Sequence, residues 1–284
     1  MSWLESLQHA IDYMEDHMLE DVSIEDIAKR ANASPFHFQR TFSILTDITV
    51  GDYLRRRRLT LAAEELLRTN KKIIDLAYKY GYDTPEAFTK AFRKQHGVTP
   101  SDIRKGIGKL QSYSRLVIQV SLKGANPVKY RIVEKEGFKA VGVKRTFSCV
   151  NDEHQDGITK LWVEVNTDGT CDSLIPMMKG DIGGILGVCV SEPKENTIDY
   201  WVAVENVDGT SGTFDILDIP ASKWAVFEVH GAMPQAIQDT WKKIYSEWFP
   251  SSGYEYAGTA EFELYPAGNP SDPAYYSEIW IPVK

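Results

Sequence analysis

The sequence predicts a chain of two parts, an all-helical N-terminal region made of a duplicated helix-turn-helix and an α+β region made of a pseudo-twofold repeat. Three observations carry this. Ile24-x-x-Ile27-Ala28 followed by Phe38-x-x-x-Phe42 returns as Ile73-x-x-Leu76-Ala77 followed by Phe88-x-x-x-Phe92. The first three positions are offset by 49 and the Phe pair by 50, so the second turn gains one residue while its helix keeps register. Apolar spacing is helical up to about residue 105 and alternates in strand fashion from about 128 onward. There a strand-strand-helix-strand-strand order occurs twice.

Composition sets the bounds. A chain of 284 residues with 43% hydrophobic and 25% charged residues has room for two cores. Its apolar runs are a few residues long, and its start has neither a basic segment nor an apolar h-region, so a cytoplasmic location is expected. Cys149, Cys171 and Cys189 are odd in number and widely spaced, which speaks for reduced, structural thiols. No metal or cofactor is expected; Asp152-Glu153-His154-Gln155-Asp156, the one cluster with ligand-type side chains, reads as solvated surface. Residues 1–110 carry 17 Lys+Arg against 16 Asp+Glu and the rest 15 against 24, so the net charge of −8 sits almost wholly in the C-terminal part. A near-neutral region can still bind DNA through basic groups gathered on one face.

In chain order, Leu4, Leu7, Ile11 and Met14 give an amphipathic helix ending near Leu19. Ser23 caps the next, with Asp26 three residues on, and Ile24, Ile27 and Ala28 pack inward. Asn32-Ala33 turns, Ser34 caps, Pro35 opens a helix to about Leu45, and Phe38 and Phe42 face inward. That leaves Phe36, His37, Gln39 and Arg40 pointing outward at the end of a recognition helix that enters the major groove. Arg40 can fork onto guanine, Gln39 pair with adenine and Phe36 touch a thymine methyl.

A long helix over Val50 to about Thr69 links the units, with Tyr53, Leu54, Leu61, Ala62, Leu66 and Leu67 partly buried. Its Arg55-Arg56-Arg57-Arg58 run surrounds the helix at 100° per residue, so one or two reach phosphate and the others pair with carboxylates. In the second unit Gly81 ends a helix, Asp83 or Thr84 caps the next, Pro85 suits its first turn and Gly97 stops it. Thr84, Pro85, Glu86, Thr89, Lys90, Arg93 and Lys94 are its candidate DNA contacts. Thr89 and Lys90 align with Gln39 and Arg40, and Glu86 can accept from cytosine N4.

The first half, about residues 5 to 105, resembles the AraC/XylS family of bacterial transcription regulators, whose DNA-binding domain holds two helix-turn-helix units joined by a long helix. Ile103 stands where that family usually has an aromatic after Gly-x-x-Pro. The resemblance implies promoter DNA and RNA polymerase as partners and activation as the usual outcome, with repression open. A monomer or a homodimer fits, since one chain already holds two recognition helices.

From Gly106 to Pro127 the helical pattern gives way to Gly, Ser and Lys, with Leu116, Ile118, Val120 and Leu122 alternating as in a strand. The expected organisation is a DNA-binding domain over 1–108, a linker over 109–127 and a second domain over 128–284. In that domain strands are expected at about 129–135, 138–147, 182–191, 197–205, 213–218, 223–230, 256–265 and 275–283. Helices fall near 153–166 and from Pro234 to Trp248. The endings Phe262-Glu263-Leu264-Tyr265-Pro266 and Glu278-Ile279-Trp280-Ile281-Pro282-Val283, with Tyr130-Arg131-Ile132-Val133-Glu134, resemble the GyrI-like small-molecule-binding domains.

That resemblance implies a cleft between two pseudo-repeats, lined by aromatics and an acid, for a lipophilic and often cationic effector. Strand parity puts Phe262 and Leu264 on one face and Glu261, Glu263 and Tyr265 on the other. Family position favours Glu263 first and Glu278 second, with Tyr265, Trp280, Glu261 and Trp201 completing the candidate pocket. Trp162, Trp241 and Trp248 read as core. The expectation is a non-enzymatic regulator sensing a small molecule, in an arrangement that resembles Rob-type regulators. Two alternatives stay open: a GyrI-like hydrolase using Glu263 with Tyr265 or Tyr256, and a ligand-independent interaction module.

Overall fold

A computed structural model describes residues 3–118, 128–149, 153–191 and 197–284. The chain packs as two compact units. One is Leu4–Asn32 with Ile48–Val120; the other is Met1–Trp3, Ala33–Asp47 and Ser121–Lys284. Ala33–Asp47, inside the segment 1–108 expected to form one domain, thus packs with the C-terminal unit.

In the helical unit, α1 spans Trp3–Asp16, α2 Ile24–Arg30, α4 Val50–Arg68, α5 Ile73–Lys79, α6 Pro85–His96 and α7 Pro100–Arg104. The predicted caps Ser23 and Thr84 form, and Thr49 and Thr99 act in the same way: each side chain accepts from the backbone N–H three residues on, which satisfies donors that a helix start leaves open. Gly97 closes α6 at φ 76, a left-handed conformation that costs a residue without Cβ nothing. Leu59, Ala62, Ala63, Leu66, Leu76, Phe88, Phe92 and Ile103 form the core. Burying each Phe contributes about 2–3 kcal/mol. Leu67, expected to be partly buried, is 59% exposed, because the inward stripe of α4 runs through Leu59, Ala63 and Leu66.

All four arginines of the Arg55–Arg58 run are engaged within the chain. Arg57 grips both oxygens of Glu15 at 2.7 Å, Arg58 bonds the carbonyls of Met18 and Glu20, and Arg55 and Arg56 reach Asp52. Residues 109–118 form no strand. Instead their backbone N–H groups are taken by helix side chains: Gln111 by His96, Tyr113 by Thr60, Leu116 by the Tyr53 hydroxyl and Ile118 by Gln8. Val120 and Leu122 lie outside the described residues.

The C-terminal unit contains α3 (Pro35–Thr46), an eight-stranded antiparallel sheet and helices α8 (Glu153–Thr167), α9 (Thr170–Leu174), α10 (Gln235–Lys243) and α11 (Phe249–Ser252). The strands are β1 Tyr130–Lys135, β2 Phe138–Ser148, β3 Ile185–Ser191, β4 Thr197–Glu205, β5 Asp215–Ile219, β6 Ser222–His230, β7 Glu261–Tyr265 and β8 Tyr276–Val283. Tyr256 makes only an isolated bridge to Val283, so β7 is shorter than expected. The order β1-β6-β8-β7-β3-β4-β2-β5 reads the same when the halves β1–β4 and β5–β8 are exchanged and reversed. This is the predicted pseudo-twofold, and its axis passes between β3 and β7. The first strand of each half crosses to pair with the other half, β1 with β6 and β5 with β2.

One face of the sheet packs on itself around Phe138, Trp201, Trp224, Phe262 and Trp280. Lys135 on β1 meets Glu205 on β4 at 2.9 Å, although five strand intervals, about 24 Å in a flat sheet, separate them. The sheet is therefore strongly curled. On its other face α8 packs near β2 and β4 and α10 near β6 and β8, with Phe227, Ile237, Trp241, Tyr245 and Ile279 in one cluster and Leu161, Val165, Tyr200 and Val202 in the other.

Candidate functional site

Between these two helix-bearing clusters lies a cavity of about 610 Å³ over the pseudo-twofold junction of β3 and β7. Cys189 comes from β3, Tyr200 from β4, and Glu263 and Tyr265 from β7; His154 and Trp162 come from α8 and Trp241 from α10. The remaining wall is α3, through Phe36, Arg40, Ser43, Ile44 and Asp47. Gly187 on β3 gives room for this arrangement: a Cβ there would come within 2.4 Å of the Tyr200 hydroxyl.

The charges are concentrated. Arg40 Nη1 donates to Glu261 Oε1 at 2.5 Å and Nη2 lies 3.4 Å from Glu263 Oε1. Its guanidinium stands 4.1 Å from the centre of the Trp241 ring, a cation–π distance, and Nη1 approaches Cys189 Sγ at 3.6 Å. Glu263 also accepts from Trp241 Nε1 at 2.7 Å and from the Tyr265 hydroxyl at 2.8 Å. Glu261 is 2% exposed and its Oε2 has no hydrogen-bond partner among the described residues. Burial raises the Glu261 carboxyl above its usual value, Arg40 opposes that, and Glu263 adds to it. Burial works against the charge of Arg40, but Glu261 above all holds its proton on. The Tyr265 phenol is pushed well up by burial and then by Glu263.

Local sequence places Arg40. Ser34 caps α3 by accepting from His37 N at 3.2 Å, Pro35 opens it, and Asp47 ends it at φ 57. In that frame Phe36 joins the α8-side cluster, and His37 stacks on Tyr256 at 4.3 Å and 3°. Gln39 is buried with its amide on the Pro35 carbonyl. These side chains and Arg40 were expected to point outward. They do not: Phe36, His37 and Gln39 are 3–6% exposed and the Arg40 side chain is 16% exposed. Helix periodicity says which residues share a face, and the partner of that face is here the C-terminal sheet and helices. Burial, with Arg40 adding to it, drives His37 down to about 3, so it is neutral. His154 is buried rather than solvated, with its ring edge-on to Phe36 at 5.4 Å, and burial takes it down to about 4.

The counterpart helix α6 is different. Glu86, Lys90, Arg93 and Lys94 are exposed and Thr89 half-buried, while Thr84 and Pro85 form the helix start, Thr84 accepting from Ala87 N at 3.1 Å.

The predicted pocket residues divide by strand parity. Glu261, Glu263 and Tyr265 share one face of β7; Glu263 and Tyr265 line the cavity, whereas Glu261 is buried against Arg40 and does not line it. Glu278, Trp280 and Trp201 lie on the opposite face and do not line the cavity: β8 pairs Glu278 with Leu264 and Ile279 with Glu263, which puts Glu278 on the Leu264 side. Glu278 there serves Arg131 at 2.8 Å, the Tyr276 hydroxyl, and Trp280 Nε1 at 2.7 Å. Trp201 likewise belongs to the Phe262 cluster, and it is its neighbour Tyr200, hydrogen-bonded to Trp162 Nε1 at 2.8 Å, that faces the cavity. Trp162 and Trp241, read as core, line the site as well as packing it. Parity along β4 was the available signal for Tyr200; no sequence signal marked Cys189 or Trp241.

Among the described residues, no group of three His, Cys, Asp or Glu side chains is placed to hold a metal, and no helix is long and apolar enough to cross a membrane.

Duplicated helix-turn-helix units joined to a twofold sheet with a charged, aromatic cavity define an effector-linked transcription regulator. The family described as integron-associated effector binding protein matches residues 131–283, and that described as helix-turn-helix domain matches 27–106. The chain belongs to the integron-associated effector-binding family, and it is an AraC-type transcription regulator that carries this domain at its C-terminal side. The regulatory protein SoxS of Escherichia coli K12 is 39% identical over 104 residues, 37% of this chain and 97% of SoxS. The transcriptional regulator Rob of Salmonella typhimurium is 32% identical over 172 residues, 59% of this chain and 58% of Rob. Two solved structures resemble the C-terminal half, each 28% identical. A bacterial transcription regulation protein from Staphylococcus aureus MU50 has a TM-score of 0.51 over 56% of this chain and 99% of its own. SAV2435, solved bound to tetraphenylphosphonium, has a TM-score of 0.50 over 55% of this chain and 94% of its own.

Proposed function

We propose that this regulator controls promoters in response to a lipophilic cation held over β7 by Glu263 and Glu261 and walled by Trp241, Trp162 and Tyr265. The observation that carries this reading is a cation already there: the Arg40 guanidinium lies between two carboxylates and against an indole face. A buried carboxylate beside a second, half-buried one is costly unless a positive charge lies between them. The cavity falls in the size range of small-molecule sites. The likeness to SAV2435 with its tetraphenylphosphonium agrees with a cationic ligand. DNA contacts are assigned to Thr84, Pro85, Glu86, Thr89, Lys90, Arg93 and Lys94 of the α6 region and, once their face is free, to Phe36, His37, Gln39 and Arg40. Activation through RNA polymerase is the proposed direction of control.

The test is calorimetric titration with tetraphenylphosphonium. Wild type should bind it and Glu263→Gln should lose tenfold or more in affinity, about 1.4 kcal/mol; undiminished binding by the variant would remove Glu263 from the site.

A hydrolytic second reading rests on the Glu263–Tyr265 hydrogen bond, a carboxylate and a phenol in one cleft. It predicts turnover of a strained electrophile that disappears in Glu263→Gln while the fold is kept.

A further inference from the structure

The α3 face that the sequence marks for base reading is the face that closes the effector cavity. We infer that Arg40 is a built-in occupant of the effector site, and that a cationic effector and a DNA-ready α3 are linked by competition for Glu263 and the Trp241 face. This rests on the cation-sensing reading above and adds how the signal reaches the DNA-binding surface.

The geometry of the cleft carries the competition. Arg40 Nη2 lies 3.4 Å from Glu263 Oε1 and its guanidinium stands 4.1 Å from the centre of the Trp241 ring, so it occupies the place that a cation seated on the Trp241 face beside Glu263 would take. Two carboxylates can balance two cations, so the contest is for this space and for the Glu263 oxygen, not for net charge. α3 is held by the guanidinium clamp, the His37–Tyr256 stack, the 3.4 Å approach of Ser34 Oγ to Ser191 Oγ, an exposed Asp47–Lys242 ion pair, and the packing of Phe36 in the α8-side cluster and of Ile44 and Leu45 on the α10-side cluster. Phe36 and Arg40 both line the cavity, so an aromatic cation entering beside Trp241 presses on the two side chains that anchor the helix.

The functional consequence follows from geometry. While Arg40 is clamped it cannot fork onto a base, and Phe36, His37 and Gln39 are covered. The effector-free chain then offers DNA one complete recognition surface, α6, and the effector restores the second. Linkage is reciprocal, so DNA that engages α3 must tighten effector binding by the same factor.

The experiment titrates tetraphenylphosphonium, with tetraphenylborate as the control of equal shape and opposite charge, into wild type and Arg40→Met by calorimetry. Removing the internal competitor should tighten cation binding by tenfold or more in Arg40→Met and leave tetraphenylborate without effect. Equal affinity of both chains for the cation overturns the inference while leaving the sensor reading intact. Absence of binding to either chain overturns the sensor reading and the inference with it. Hydrogen exchange on the wild type gives a second readout independent of the variant's folding: amides in 35–46 should lose protection when tetraphenylphosphonium is bound, since a twelve-residue helix released from its partners is marginal in water. Unchanged or increased protection overturns the inference.

Discussion

In α6 only Phe88, Phe92 and His96 are buried, and Glu86, Lys90, Arg93 and Lys94 stand in solvent; in α3, Pro35, Phe36, His37, Phe38, Gln39, Thr41 and Phe42 are all buried. The two helices share their length, their Ser/Thr cap, their Pro at the first turn, their Phe pair and a left-handed residue at the C-cap, Asp47 in one and Gly97 in the other. They differ at the four outward positions, where α3 has Phe36, His37, Gln39 and Arg40 and α6 has Glu86, Ala87, Thr89 and Lys90. The first set is aromatic and forked, and can fill a pocket as well as read a groove; the second is small or strongly hydrated and suits only a wet surface. The same frame thus serves two surroundings according to what it carries.

The largest test of that contrast is a cavity. Phe88→Ala should cost the helical unit about 3–5 kcal/mol, because an aromatic with 0% exposure leaves a hole its neighbours cannot fill. Thermal unfolding reads the loss, and tetraphenylphosphonium binding by the C-terminal unit should persist; simultaneous loss of both would show that the two units are not separable in stability.

A smaller effect separates the helices at the DNA. On a duplex selected from random sequence, Lys90→Ala should weaken binding by about 1–3 kcal/mol if it reads a base, or lower the salt slope by about 1 if it meets phosphate, with or without tetraphenylphosphonium. Gln39→Ala should matter only when the cation is present. A Gln39→Ala defect of equal size in its absence would place α3 on DNA without any effector.

The smallest effect is a pH slope confined to the helical unit. Glu65 accepts from Lys71 at 2.7 Å, from Lys79, and from the Tyr80 hydroxyl at 2.8 Å, and the Lys71 and Lys79 bonds hold its carboxyl down to about 2. Its folded value lies below the ordinary 4.5, so the unfolded chain takes up the proton first. The stabilisation is complete above about pH 4.5 and drains away toward pH 2. Both lysines are more than a third exposed, so about 1 kcal/mol is at stake. Melting between pH 5 and 3 should show the slope, and Glu65→Gln should flatten it.

Much of the architecture could be read from local rules. Caps, turns and Phe spacing located α1 to α6 to within a few residues, since each is set by groups three or four positions apart. The doubled strand-strand-helix-strand-strand order implied the pseudo-twofold because a repeat in sequence folds as a repeat in space. Part of the pocket was legible for the same reason: along one strand, parity alone brings Glu261, Glu263 and Tyr265 to one face, and Glu263 and Tyr265 line the cavity. Parity does not say how two strands are aligned. The placement of Glu278 and Trp280 depended on the β7–β8 register, and pairing Ile279 with Glu263 turned both away from the cavity.

The sequence by itself determined which side chains each helix and strand presents together, because helical and strand periods are properties of the backbone. Tertiary structure decided what those faces meet. The strand crossover at the pseudo-twofold assembles Cys189, Tyr200, Trp162 and Trp241 from four separate elements. The burial of Arg40 between Glu261 and Glu263, more than 220 residues away along the chain, is a long-range charge pairing that no local pattern encodes.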